Sequence, residues 1–211
     1  MPLYKEWNIG DHALAAIWKI EEPESFFAEH TGLEPDIKNE KRRIEHMAGR
    51  YLLKHLQHDF PILCIDKDEH DKPRIANNEY YFSISHSWPW VAVVIDPRNE
   101  AGIDIQTWHP NISRIQHKFL SADEQELFGN DEKLLTVAWC AKEAAYKWNG
   151  RRAVDFIEHL PIANFFKMDG KSEIAIYFKL SEIPKMIFTE NIINIEFACS
   201  YVIGEQNWAI Y

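Results

Sequence analysis

Cysteine is scarce in this sequence. Cys64, Cys140 and Cys199 are odd in number, far apart and never spaced C-x-x-C. That pattern excludes a disulfide framework or a thiolate metal site and fits reduced thiols. Long apolar runs are missing too: the longest, Trp88 to Ile95, is interrupted by Pro89 and falls well short of the ~20 residues a membrane-spanning helix needs. No membrane association is expected. Met1 to Asp11 carries Lys5, Glu6 and Asp11 and lacks the apolar stretch and small-residue cleavage site of a secretion signal, so the cytoplasm is the expected compartment. Nor is there a basic arm, since 23 basic against 33 acidic side chains leave a net charge of −10, and the halves on either side of residue 103 are both acidic. A protein that tracks nucleic-acid phosphates is disfavoured. Pro/Gly/Ser-rich linkers, low-complexity tracts and short repeats are absent.

What is there is globular in composition: 211 residues, 46% hydrophobic and 27% charged. A chain of that length buries roughly 70% of the surface its unfolded form exposes, so it needs neither metal staples nor disulfides. Ala13 to Ile20 reads as a strand, and Pro23 to His30 as a short helix closed by Gly32. A long helix follows, capped by Asp36, with Ile37, Ile44, Ala48, Leu52 and Leu56 at helical spacing up to about His58. Strands are expected at Phe60 to Ile65, Tyr80 to Ile84, Trp90 to Ile95 and Ala101 to Ile105. Helices then recur around Asn111 to Leu120, Ala122 to Phe128 and Asp131 to Trp148, the last stopped by Asn149-Gly150. Strands follow near Ile162 to Phe166, Glu173 to Leu180, Ile193 to Ile203 and Asn207 to Tyr211. Helices grouped before mostly hairpin-linked strands, twice over, predict an α+β duplication of two pseudo-symmetric halves, 1–103 and 104–211, each with helices on a mostly antiparallel sheet. The cleft between such halves is the natural ligand site.

Four constellations could carry chemistry. On the helix 131–148, Leu134, Ala138, Ala141, Ala145 and Trp148 form a packing stripe, while Trp139, Glu143 and Lys147 project from another face with Lys142 beside them. By spacing alone this is also an ordinary solvated Glu–Lys pair. In Gly102-Ile103-Asp104-Ile105-Gln106 the two isoleucines face one side of a strand and Asp104 the other. Asp104 could share a hard divalent cation with Glu124, although Ser121-x-x-Glu124 is equally a capping box, in which Glu124 binds backwards to the N-cap amide. Lys72-Pro73 and Phe82-Ser83-Ile84-Ser85-His86-Ser87 put a cation and an imidazole at strand ends. Arg43, Arg50 and Lys54 make a cationic row on the long helix, which can hold phosphates or simply be solvated. His55 and His58 lack a third ligand at suitable spacing and read as helix-surface residues.

Taken in order, these segments resemble the phosphopantetheinyl transferases of the larger, surfactin-type class. The resemblance runs from about Arg43 to Arg151 and is most specific in Trp139-Cys-Ala-Lys-Glu-Ala-Ala-Tyr-Lys147, some 35 residues after Gly102-Ile-Asp-Ile. It implies a magnesium-dependent enzyme that moves the 4'-phosphopantetheine arm of coenzyme A, its co-substrate, to a serine of an apo acyl or peptidyl carrier protein and releases adenosine 3',5'-bisphosphate. By the same resemblance Asp104 and Glu124 are metal ligands and Glu143 is the general base. Lys142 and Lys147 contact the pyrophosphate. Lys72, Ser85 and His86 contact the coenzyme A phosphates, and Arg50 and Arg43 line the nucleotide site. Gln106 stands where many members of the class have an acid, so its place in the metal shell is weakened. The enzyme is expected to be a monomer. The alternatives are a non-catalytic coenzyme A or carrier-binding module of the same fold and a metal-dependent phosphodiesterase.

Overall fold

A computed structural model of the chain describes residues 2–76, 79–108, 110–150, 153–168 and 171–207. The chain forms two compact units, Met1–Ala101 and Gly102–Tyr211. Each combines helices with an antiparallel sheet. Among the described residues no helix is long and apolar enough to cross a membrane.

In the first unit, β1 (Leu3–Ile9), β2 (Ala13–Lys19), β5 (Tyr81–Ser87) and β6 (Trp90–Asp96) form one sheet in the order β1-β2-β6-β5. Helix α1 (Glu24–Thr31) ends on Gly32 at φ 68, a left-handed conformation that costs glycine little. Helix α2 (Glu40–Leu56) begins three residues later than its pattern suggests. Asn39 is the actual cap, its side chain accepting the Arg42 amide, so Asp36 is left in the preceding loop. Ile44, Met47, Ala48, Leu52 and Leu53 bury the inner face of α2 with Phe27, Val91 and Val93. The strand expected over Phe60 to Ile65 is instead a 3₁₀ turn, Ile62–Cys64, followed by a short hairpin of β3 (Ile65–Lys67) and β4 (Pro73–Ile75). Pro61 offers no amide to a ladder, and burial of Phe60 and Ile62 in the core outweighs their strand propensity.

The second unit opens with β7 (Ile103–Thr107), then α3 (Ile112–Ile115), α4 (Ala122–Phe128) and α5 (Glu132–Asn149). Next come β8 (Ile162–Met168), β9 (Lys171–Phe178), β10 (Lys185–Ile193) and β11 (Phe197–Asn207), giving the sheet order β7-β11-β10-β9-β8. Helix α5 starts on Asp131, whose carboxylate accepts the amides of Lys133 and Leu134, and stops at Gly150 with φ 69. Ala138, Ala141 and Ala145 are fully buried in the core with Leu135, Ile174, Ile187 and Ala198. The small side chains let α5 lie close to the sheet, and the approach is tight at Gly102. A Cβ there would stand 2.1 Å from the Ala144 carbonyl oxygen and 2.7 Å from the Trp148 nitrogen.

The expected strand from Ile193 to Ile203 is divided in the structure. Asn194 turns the chain by accepting the Phe197 amide, and β10 lies before it. Polar residues conceal β10 from a periodicity reading, yet Thr189 and Asn191 are buried and bonded to the Ile174 and Ser172 carbonyls. Beyond residue 207 the strand expected over Asn207 to Tyr211 lies outside the described residues.

Candidate functional site

Alternation along β7 sets the site in the second unit. Asp104 and Gln106 share a strand face, and the isoleucines beside Asp104 are buried in the opposite direction. Asp104 is itself 2% exposed, and its Oδ1 accepts Lys147 Nζ at 2.7 Å. Gln106 Nε2 makes a weaker contact with Oδ2 at 3.4 Å. One helical turn before Lys147, Glu143 is half-buried. Burial chiefly, and then the charge of Asp104, push the Glu143 carboxyl up to about 7, with Lys147 opposing the shift. Cys140 is buried in the same place, and burial together with the nearby Asp104 carboxylate raises its thiol well above the ordinary range. The structure thus brings together Asp104, Gln106, Glu143 and Lys147, and adds Cys140, whose polar neighbourhood no local pattern announces.

Glu124 and Lys142 are engaged with one another. Lys142 is 0% exposed, and its ammonium donates to Glu124 Oε1 at 2.7 Å and to the carbonyls of Phe119 at 2.7 Å and Phe156 at 3.0 Å. Those three bonds use all the hydrogens an ammonium has. Burial draws the Lys142 pKa down, and Glu124 resists the shift. Glu124 Oε1 also accepts the Ile162 amide at 2.6 Å, while Oε2 accepts the Ser121 amide at 2.7 Å, completing the capping box. Both carboxylate oxygens are therefore bonded within the fold. Among the described residues no group of three or more His, Cys, Asp and Glu side chains is arranged to hold a metal.

In the first unit Lys72 is nearly buried, and its ammonium meets Glu100 at 2.6 Å. Arg74 bridges Glu100 and Asp68. Burial lowers the Lys72 pKa against the pull of Glu100. Ser85 is buried on β5, and His86, the next residue, is exposed on its outer edge with Nδ1 3.2 Å from Glu45 Oε2. Arg50 is half-buried and donates to the His46 carbonyl at 3.2 Å; burial lowers its pKa. Arg43 grips Glu24 through two nitrogens and also donates to the Ile37 carbonyl. Lys54 reaches the His30 carbonyl and His55 pairs with Glu6. Glu45 and Glu100 escaped the sequence reading because their partners lie 41 and 28 residues away; the latter separation is that of the Lys72 bond. Arg151, where the sequence resemblance ends, lies outside the described residues.

Residues 100–201, which include the Asp104 cluster, match the family model described as the 4'-phosphopantetheinyl transferase superfamily. Over 137 residues the chain is 30% identical to a Haemophilus influenzae protein named "Putative 4'-phosphopantetheinyl transferase". That alignment covers 59% of this chain and 57% of the relative, so it spans little more than half of either.

Proposed function

We propose that this chain, which carries a 4'-phosphopantetheinyl transferase superfamily domain in residues 100–201, transfers the phosphopantetheine arm of coenzyme A to the serine of an apo acyl or peptidyl carrier protein. The observation that carries the reading is the meeting of Asp104, Glu143 and Lys147 inside the matched stretch.

Magnesium belongs to the proposal, and the donor set fits it. Asp104 and Gln106 offer hard oxygens, and magnesium is content with one or two carboxylates plus water and phosphate oxygens. Bound there, the ion would neutralise charge on the phosphate under attack. Glu124 is less suited to that shell than its spacing implies, because it would have to release Lys142, Ile162 and Ser121.

Glu143, poised near pH 7, is the group suited to take the serine proton. Lys147 supplies positive charge for the departing bisphosphate and holds Asp104 in place. Lys142 supports the helix that bears Glu143, its ammonium tying α5 to the Phe119 and Phe156 carbonyls. From the first unit, Lys72, Ser85, His86 and Arg50 are the proposed contacts to coenzyme A phosphates, with Arg43 a weaker member because Glu24 occupies it. The transfer is direct, with no covalent enzyme intermediate, so positioning and charge supply most of the barrier lowering. The reading of an enzyme built by internal duplication draws support from each unit's long helix on an antiparallel sheet; a monomeric state and a cytoplasmic location belong to the proposal alone.

The test is incubation with coenzyme A, magnesium and a panel of apo carriers, followed by intact-mass measurement. Addition of the prosthetic arm, abolished by chelation and restored by magnesium, is the expected result. Coenzyme A binding without transfer to any carrier would favour a non-catalytic module, and hydrolysis without an acceptor a phosphodiesterase.

A further inference from the structure

The buried carboxylate of Glu45 has no part in the chemistry proposed above, yet it lies on α2 among the buried side chains of Ile44 and Met47. Its residue is 6% exposed. Taking a carboxylate out of water is costly unless a partner meets it. The partner here is an imidazole on the neighbouring strand, His86, whose Nδ1 is 3.2 Å from Glu45 Oε2. The two elements approach closely enough for this because α2 carries Gly49 against β5. A Cβ on Gly49 would stand 2.7 Å from Ile84 Cγ2, two residues before His86. The His86 side chain is 47% exposed, so one edge of the ring rests on the buried acid and the rest faces outward.

We propose that Glu45 is the positioning residue of His86: its carboxylate accepts the Nδ1–H bond, fixing ring orientation and tautomer so that Nε2 is presented to an anionic phosphate oxygen. This rests on the reading of His86 as a coenzyme A phosphate contact and deepens it. Which ring nitrogen carries the proton is set by the bond the other nitrogen makes. With Nδ1–H committed to Glu45, a proton taken up at Nε2 gives an imidazolium between two anions, donating to the carboxylate on one side and to phosphate on the other.

The neighbouring groups are compatible with this division. His46, next in the chain, is held down to about 4 by burial and by the charges of Arg50 and His86, so at neutral pH it brings no cation to compete for Glu45. Arg50, one turn further along α2, donates to the His46 carbonyl.

The experiment is long-range 15N–1H NMR on the full chain labelled at histidine, with the His86 signals assigned by their loss in His86→Gln. In the native protein neutral His86 should carry its proton on Nδ1. Glu45→Leu has no side-chain acceptor to hold the Nδ1 proton, so it should move the proton to Nε2. Coenzyme A affinity, measured by calorimetry, should fall about tenfold, the scale of one charge-assisted hydrogen bond. A native His86 protonated on Nε2, or a tautomer unchanged by Glu45→Leu, would overturn the assignment of Glu45. A tautomer that shifts as expected while coenzyme A affinity stays constant would uphold Glu45 as the positioning residue and overturn the phosphate role of His86.

Discussion

Lys147 donates from Nζ to Oδ1 of Asp104 at 2.7 Å, joining the last turn of α5 to the start of β7. The bond turns two separate sequence motifs into one electrostatic unit, because Glu143, one turn earlier on α5, feels the acid and the ammonium together. Lys147→Met should lower turnover about 10²–10³-fold, the range for loss of one preorganised charge. It should also move the acid limb of the pH–rate profile to higher pH, since Lys147 is the group that lowers the Glu143 pKa. An unmoved limb in the variant would count against this coupling.

Glu143 gives stability a definite pH dependence. Its folded pKa of about 7 lies above the unfolded value of about 4.3, so the protonated form is favoured by folding. That contribution is complete below about pH 4 and is lost as pH rises through 7. Glu143→Gln, which cannot ionise, should therefore melt at a higher temperature than the native chain at pH 8 and at nearly the same temperature at pH 4. Its transfer rate should nevertheless fall by about 10²-fold or more, the usual cost of losing a general base.

The Glu124–Lys142 pair can be taken apart by a double-mutant cycle. Removing one member strands a buried charge, so Glu124→Gln or Lys142→Met alone should cost about 3–5 kcal/mol by denaturant unfolding. The double variant should recover much of that loss, because neither charge is then buried alone. If Glu124 serves only the fold, Glu124→Gln retains turnover at saturating magnesium below its melting point. A large rate loss there would return Glu124 to the metal shell.

Gly102→Ala should cost about 3 kcal/mol or more, at or above the upper end for overpacking, because the added Cβ meets the α5 backbone and no rotamer can relieve it. Any variant that remains folded should lose activity at temperatures well below its melting point, since displacing β7 moves Asp104 relative to Glu143. Circular dichroism melts beside transfer rates check both effects.

How far the sequence could be read depended on how local each feature is. Asp131 and Gly150 delimit α5 through bonds to residues within four positions, so its ends were legible. Asp36 and Asn39 are both good caps, and only the assembled helix selects Asn39. The capping box of Ser121 and Glu124 was legible for the same reason, but the second use of that glutamate was not. Lys142 and Ile162 lie 18 and 38 residues from it in the chain.

The amino-acid sequence alone determined most of the helices, where α5 begins and ends, and that Asp104, Glu143 and Lys147 stand apart from the apolar faces of their segments. Those properties follow from backbone hydrogen bonding and side-chain period within a few residues. Tertiary packing decided which acid meets which base: Lys147 joins Asp104, Lys142 joins Glu124, and Glu45 lies beneath His86. Such pairings depend on how closely a helix can approach a strand, and here Gly102 and Gly49 permit distances that no spacing along the chain encodes.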